Sequence, residues 1–194
     1  NQITIIYDTM WNSTRRMAEC IAEGLRETDP TLTVKLFNSA VDDKNDIVTE
    51  VFKSKAILVG SPTINYGFLF SIGGIMEMIR GLKFKNKKAA AFGSYGWSGE
   101  AVKQITALLQ GAGFDVVNDG LRCQWNPDQA TQETCRQYGR DFAAAVNASE
   151  AKEDEVQTEL GDYNNDEQIG KAAKEHFEDW EKDAREGVKG GYAG

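Results

Sequence analysis

What most constrains this chain is a rhythm in its first 149 residues: strand-length apolar runs alternate with stretches whose apolar residues recur at helical spacing. Ile3–Tyr7 is a short β-branched run, and Met17, Ile21 and Leu25 then recur every fourth residue, as on one face of a helix. Leu32–Phe37 ("LTVKLF") alternates apolar with polar, which suits an edge strand with one face less protected. Ala56–Val59 ("AILV") and Ala89–Gly93 ("AAAFG") are the runs expected of strands covered on both faces. Helical stripes follow, through Ile72, Ile75, Ile79 and Leu82, then through Val102, Ile105, Leu108 and Leu109. Gly111 and Gly113 stop the second of these. "DVV" and then Leu121–Trp125 ("LRCQW") read as one interrupted final strand, and Thr131, Cys135, Tyr138, Phe142 and Val146 as the stripe of a closing helix.

Strands alternating with helices in this way predict a doubly wound, five-stranded parallel α/β sheet. The alternating second strand belongs at an edge and the apolar first, third and fourth in the middle, which gives the order 2-1-3-4-5. Ligands of such sheets bind beyond the carboxyl ends of the strands, where the strand order reverses. The loops after strands one, three and four meet there, and they are the most unusual in the chain.

The first loop, Thr9–Thr14, has neither a GxxxxGK[ST] lysine nor GxGxxG. It offers hydroxyls at Thr9, Ser13 and Thr14, an amide at Asn12, and backbone N–H groups at a helix N-terminus, which together suit a phosphate dianion. The plain alternative is a helix capped by Asn12 or Ser13. The second loop, "GSPTINYGF" (Gly60–Phe68), sets a glycine beside an aromatic, so backbone can approach a flat ligand; alternatively it is an ordinary turn. The third, "GSYGWSGE" (Gly93–Glu100), interleaves Tyr95 and Trp97 with glycines and serines, on a loop where burial cannot be their purpose. Its alternative is a glycine-rich turn capped by Ser98. A phosphate cradle flanked by two aromatic, glycine-containing loops is a site for a phosphorylated planar ring.

"YDTMWNST", "GSPTINYG" and "FGSYGWSG" resemble the flavodoxin-like domain of flavodiiron proteins, over about Gln2 to Val146. The resemblance implies a flavodoxin-like fold, bound FMN and an electron-transfer role. In that family FMN takes electrons from a rubredoxin or a reductase and passes them to a di-iron centre that reduces nitric oxide or dioxygen. Carried over residue by residue, Thr9, Met10, Trp11, Asn12, Ser13 and Thr14 would hold the phosphate. Ser61, Pro62, Thr63, Ile64, Asn65, Tyr66 and Gly67 would border the ring, the Asn65–Gly67 peptides near its N5. Ser94, Tyr95, Gly96, Trp97, Ser98 and Gly99 would close the other side. Asn12 stands where ordinary flavodoxins usually place glycine. No catalytic side chain is expected, since the flavin carries the redox chemistry.

Composition limits what else the chain does. A single histidine, His176, cannot build the family's di-iron centre, and no CxxC pair exists for a rubredoxin site. The chain therefore reads as the flavin module without the terminal reductase chemistry. Cys20, Cys123 and Cys135 lack framework spacing, no signal-like segment opens the chain, and a reducing cytoplasm is the expected setting. Residues 1–149 balance 16 acidic against 16 basic side chains, so the whole net charge of −8 lies in residues 150–194, and no basic face suits nucleic acid. Residues 150–163 read as a solvated acidic linker. Ile169, Ala173, Phe177, Trp180 and Ala184 then mark an amphipathic helix over 166–187, which either packs on its own domain or stays loosely ordered, or else docks a partner or another domain. Two other readings stay open on the residues alone. One is a stand-alone NAD(P)H:quinone oxidoreductase of related fold, although no nicotinamide subsite is evident. The other is a flavin-free interaction module built on the acidic tail.

Overall fold

A computed structural model describes residues 1–161 of the chain. The chain divides into two units, Asn1–Ala148 and one that begins at Ser149. The first holds a parallel sheet in the order β2-β1-β3-β4-β5, with β6 also paired to β4. The strands are β1 (Gln2–Tyr7), β2 (Thr33–Asn38), β3 (Ala56–Gly60), β4 (Lys88–Tyr95), β5 (Asp115–Val116) and β6 (Leu121–Gln124). The predicted order 2-1-3-4-5 is the observed one, and the fifth position is split as its sequence suggested. β5 pairs with Lys88 and Ala89, whereas β6 pairs with Phe92–Tyr95 farther along the same strand. Asn118 ties the break together: its Oδ1 accepts from the Gly120 N–H at 2.9 Å and from the Tyr138 hydroxyl at 2.8 Å.

Five helices cover the sheet: α1 (Ser13–Thr28), α2 (Lys44–Lys53), α3 (Phe70–Leu82), α4 (Glu100–Gly111) and α5 (Gln129–Gly161). The central strands β1, β3 and β4 are buried along nearly their whole length because helices lie on both faces, while β2 alternates exposed and half-buried residues at the edge. On one face Ile3, Ile5, Leu58 and Phe92 pack with Met17, Ile21 and Leu25 of α1 and Phe142 and Val146 of α5. On the other, Ile6, Ile57 and Val59 pack with Ile47 of α2, Ile75 and Ile79 of α3, and Ile105 and Leu109 of α4. All three cysteines are buried free thiols.

α1 and α5 cross with almost no space between their backbones. A Cβ on Gly24 would stand 2.0 Å from the Arg136 carbonyl oxygen, and one on Gly139 would stand 2.3 Å from that of Ile21. Both positions therefore require glycine on packing grounds alone.

Three features depart from the sequence reading. α2 is not evident in the sequence, because only Ile47 and Val51 of its ten residues are buried. Its start is nevertheless well made, with the Asp43 carboxylate accepting from the N–H groups of Asn45 and Asp46. In α3 the predicted stripe residue Leu82 is 43% exposed, and Met76 takes its place in the core. The acidic stretch read as a linker from residue 150 is helical as far as Gly161, being the continuation of α5. The rest of that linker and the amphipathic pattern over 166–187 lie outside the described residues.

Candidate functional site

At the carboxyl ends of β1, β3 and β4 lies a cavity of about 990 Å³. Met10, Trp11 and Ser13 line it from the first loop, and Pro62, Thr63, Ile64, Asn65 and Tyr66 from the second. The third contributes Ser94, Tyr95, Gly96, Trp97 and Ser98. The three segments singled out in the sequence therefore converge on one space. Of the residues named there, Thr9, Asn12, Thr14, Ser61, Gly67 and Gly99 are not part of its wall.

The first loop carries the marks of an anion cradle. Asn12 occupies the N-cap position of α1 in the left-handed region, with φ 63, and its side chain makes no capping bond. Asparagine tolerates that conformation better than most residues, which explains how it serves where a glycine would be expected. The first-turn N–H groups of α1 are thus left without a side-chain cap, and they carry the positive end of the helix dipole. Behind them the Ser94 hydroxyl pairs with those of Ser13 at 2.8 Å and Thr14 at 3.0 Å, joining the first loop to the third. The Thr9 N–H donates to Asp8 Oδ1 at 2.7 Å, whereas Thr9 Oγ1 is buried and has no hydrogen-bond partner. An orphaned buried hydroxyl is costly unless a ligand completes it. The two arginines that follow the loop are engaged elsewhere: Arg15 is ion-paired with Glu19 at 2.9 Å, and Arg16 lies 3.5 Å from the same carboxylate.

The second loop is a tight turn. The Ile64 and Gly67 backbones exchange hydrogen bonds at 3.0 and 2.8 Å, and Asn65 and Tyr66 between them have φ 49 and 60. Positive φ at both central residues is the signature of a type I′ turn, and it is strained for a tyrosine. Strain of this kind is typical of binding sites. The Tyr66 carbonyl is held by Gln104 Nε2 at 2.7 Å, so the Tyr66–Gly67 peptide is tied at both its C=O and its N–H. The peptide between Asn65 and Tyr66 has neither of those ties, and both of its residues line the cavity.

Just past the end of β3 the second loop is stitched to the last residues of β4: Ser61 N–H donates to Phe92 C=O at 3.2 Å and Thr63 N–H to Ser94 C=O at 2.8 Å. Gly93 makes that closeness possible, since a Cβ there would stand 2.0 Å from the Ser61 carbonyl oxygen. α4 starts without a side-chain cap from Gly99. The Ala101 N–H instead reaches Thr63 Oγ1 at 3.3 Å, so the second loop does the work that the sequence offered to Ser98. Trp97 is 92% exposed, as expected of an aromatic that is not there for the core.

Two lining residues escaped the sequence reading, Trp125 and Asn126. Trp125 reads as the last residue of an apolar strand, and the only local warning is the Asn126-Pro127 pair that follows, a common loop opening. Behind it Cys123 donates weakly to the Gln124 and Trp125 carbonyls, and burial pushes its thiol pKa up, so it stays protonated. Among the described residues, no helix is long and apolar enough to cross a membrane.

Residues 5–139 match the Flavodoxin family, a family of FMN-binding proteins. The anaerobic nitric oxide reductase flavorubredoxin of Escherichia coli O1:K1 is 51% identical over 143 residues, covering 74% of this chain and 30% of the relative. The chain thus spans about a third of the length of the curated relatives it matches. Among solved structures, rubredoxin oxygen:oxidoreductase from Desulfovibrio gigas superposes with a TM-score of 0.72 at 37% identity, over 76% of this chain and 36% of that one. The flavodiiron protein from Giardia intestinalis gives 0.71 at 29% identity, with the same two coverages of 76% and 36%. The chain belongs to the flavodoxin family, and its flavodoxin-like domain is similar to those of a flavorubredoxin and of flavodiiron proteins.

Proposed function

We propose that residues 1–149 bind FMN and carry electrons between a donor, a rubredoxin or a reductase, and a di-iron nitric oxide or dioxygen reductase centre outside this chain. The observation that carries the reading is the convergence of an anion cradle and an aromatic wall on one cavity of about 990 Å³. The orphaned hydroxyl of Thr9 and the uncapped first turn of α1 fit a phosphate, held by neutral donors rather than by salt bridges. Trp97, Tyr95 and the Ile64–Tyr66 turn fit the two sides of a flat ring. Bound FMN supplies one- and two-electron redox chemistry, and the protein sets its potential and access.

The chain's own residues then have definable roles. Ser13, Thr14 and Ser94 hold the cradle to the third loop through their shared hydroxyls. The Asn65–Tyr66 peptide would offer the ring edge either a carbonyl or an N–H, while Gln104 holds the carbonyl of the next peptide. The exposed rims of Trp11 and Trp97 leave an open mouth through which a partner can approach. The names of the relatives support the choice of partners: a flavorubredoxin, a rubredoxin oxygen:oxidoreductase and a flavodiiron protein.

The test is an absorption spectrum of the purified protein before and after added FMN, then during stepwise reduction. Flavin bands that survive desalting are expected, together with reduction by reduced rubredoxin. Protein that stays colourless after FMN is added, and elutes without it, would remove the reading. Deletion of residues 150–194 is expected to leave FMN affinity nearly unchanged.

A further inference from the structure

Trp125 is held in a conformation that needs a reason. Its φ of 61 lies in the left-handed region, which is sterically disfavoured for a bulky L residue. Burial does not offset this cost, because the side chain is 56% exposed. Its neighbours nevertheless hold it firmly. The Trp125 N–H donates to the Tyr95 carbonyl at 2.8 Å, and Gln124 Nε2 donates to the Gly96 carbonyl at 3.1 Å, so the end of β6 is sewn onto the third loop.

The indole is thereby set against two residues of that loop. A Cβ on Gly96 would stand 3.0 Å from Trp125 Cζ3, so any other residue there would push the ring aside by a few tenths of an ångström. Its other contact is Trp97, edge to face, with ring centroids 5.4 Å apart and planes at 77°. Among the described residues this is the one ring contact of Trp97, whose side chain is otherwise almost wholly in solvent. An indole on a glycine- and serine-rich loop has many rotamers open to it, and ordering one of them on binding costs affinity. A neighbouring edge that selects the rotamer beforehand removes that cost.

Resting on the FMN reading above, we propose that Trp125 is a positioning residue that acts on the flavin through Trp97. Its strained backbone and closely packed ring give Trp97 a fixed neighbour whose plane lies at 77° to its own, and so fix the plane against which the flavin ring would stack. The stacking face belongs to Trp97, and Trp125 sets its angle.

The experiment combines a ligand-free signal with a double-mutant cycle on FMN binding. Two indoles in edge-to-face contact give a coupled near-ultraviolet circular dichroism signal, which is read in flavin-stripped protein. Trp125→Asn removes the ring and keeps a residue that tolerates positive φ, so the fold is preserved, as far-ultraviolet circular dichroism checks. The coupled signal is expected to vanish in Trp125→Asn and equally in Trp97→Leu. FMN affinity is expected to fall about fivefold in Trp125→Asn, the size of one aromatic pair, with a shift of the flavin's visible bands. Trp125→Phe is expected to restore most of both. In a Trp97→Leu background, Trp125→Asn should have no further effect on affinity, because nothing is left for it to position.

The proposal is overturned if the coupled signal survives Trp125→Asn, if Trp125→Phe fails to restore affinity and bands, or if Trp125→Asn weakens FMN equally with and without Trp97. The last result would make Trp125 a direct ligand contact. If the parent protein binds no FMN, the functional reading fails separately, and the dichroism of the stripped protein still decides whether Trp125 holds Trp97.

Discussion

Thr9→Val keeps the branched shape of the side chain and removes one oxygen. That oxygen, Thr9 Oγ1, is buried and unpartnered in the ligand-free protein. The loop backbone does not depend on it, because the Thr9 N–H is anchored on Asp8 Oδ1 at 2.7 Å. A buried hydroxyl left without a partner costs about 1–3 kcal/mol, so the flavin-stripped variant is expected to be more stable than its parent by about 1 kcal/mol. On the FMN reading proposed above, the same hydroxyl would donate to a phosphate oxygen, a charge-assisted bond worth about 1.5–3 kcal/mol. Losing it should weaken FMN binding by roughly 10- to 100-fold. Stability and affinity thus move in opposite directions on one substitution. Urea unfolding of the stripped protein reads the first, and quenching of FMN fluorescence on titration reads the second. A variant that is less stable when stripped, or that binds FMN as tightly as its parent, would refute the assignment of Thr9 to the cradle.

Gly93→Ala places a methyl 2.0 Å from the Ser61 carbonyl oxygen, where only backbone movement gives relief, and should cost about 2 kcal/mol or more in urea unfolding along with FMN binding. Gln104→Leu keeps bulk and loses the donor to the Tyr66 carbonyl; about tenfold faster amide exchange is expected at Gly67, at a cost in stability of about 1 kcal/mol or less. Burial pushes the Cys135 thiol up to about 12, and it also raises the Tyr138 hydroxyl, whose Asn118 bond acts the other way. Both groups keep their protons in the folded state at pH values where the unfolded chain has lost them. Their contribution is complete below about pH 9 and is lost as pH rises toward 12, at up to about 1.4 kcal/mol per pH unit per group. Urea midpoints measured from pH 8 to 11 should fall, and should fall less steeply in Cys135→Ala.

The sheet was legible because its information is local. β1, β3 and β4 are apolar since both faces are covered, and β2 alternates since it is an edge; each pattern is its own signature. α2 was not legible, because a helix with two buried residues leaves almost no stripe, and its clearest mark, Asp43, sits in a run of other polar residues. The helical course of residues 150–161 left no trace either, because their acidic sequence carries no apolar stripe at helical spacing. At the site, loops rich in glycine, serine and aromatics stood out by composition, and they do converge. Division of labour among them did not stand out. That Thr63 rather than Ser98 meets the Ala101 N–H, or that Trp125 turns out of β6 to meet Trp97, depends on contacts between segments distant in sequence.

The crossing of α1 and α5 bears on how such a site changes over many generations. Side-chain contacts drift by small steps, since one methyl more or less is absorbed by a rotamer next door. Backbone contacts have no rotamers. With carbonyl oxygens where the Cβ atoms of residues 24 and 139 would be, α1 is mounted on α5 as a rigid arm, and the anion cradle rides on the free end of that arm. Met10, Trp11, Tyr66 and Trp97 stand on loops and can be exchanged one at a time, each exchange adjusting the wall around the ring. The seat of the anion has no such gradual path. It stays where the helix crossing puts it, and a lineage can tune what surrounds the ring far more readily than it can move the ring's anchor.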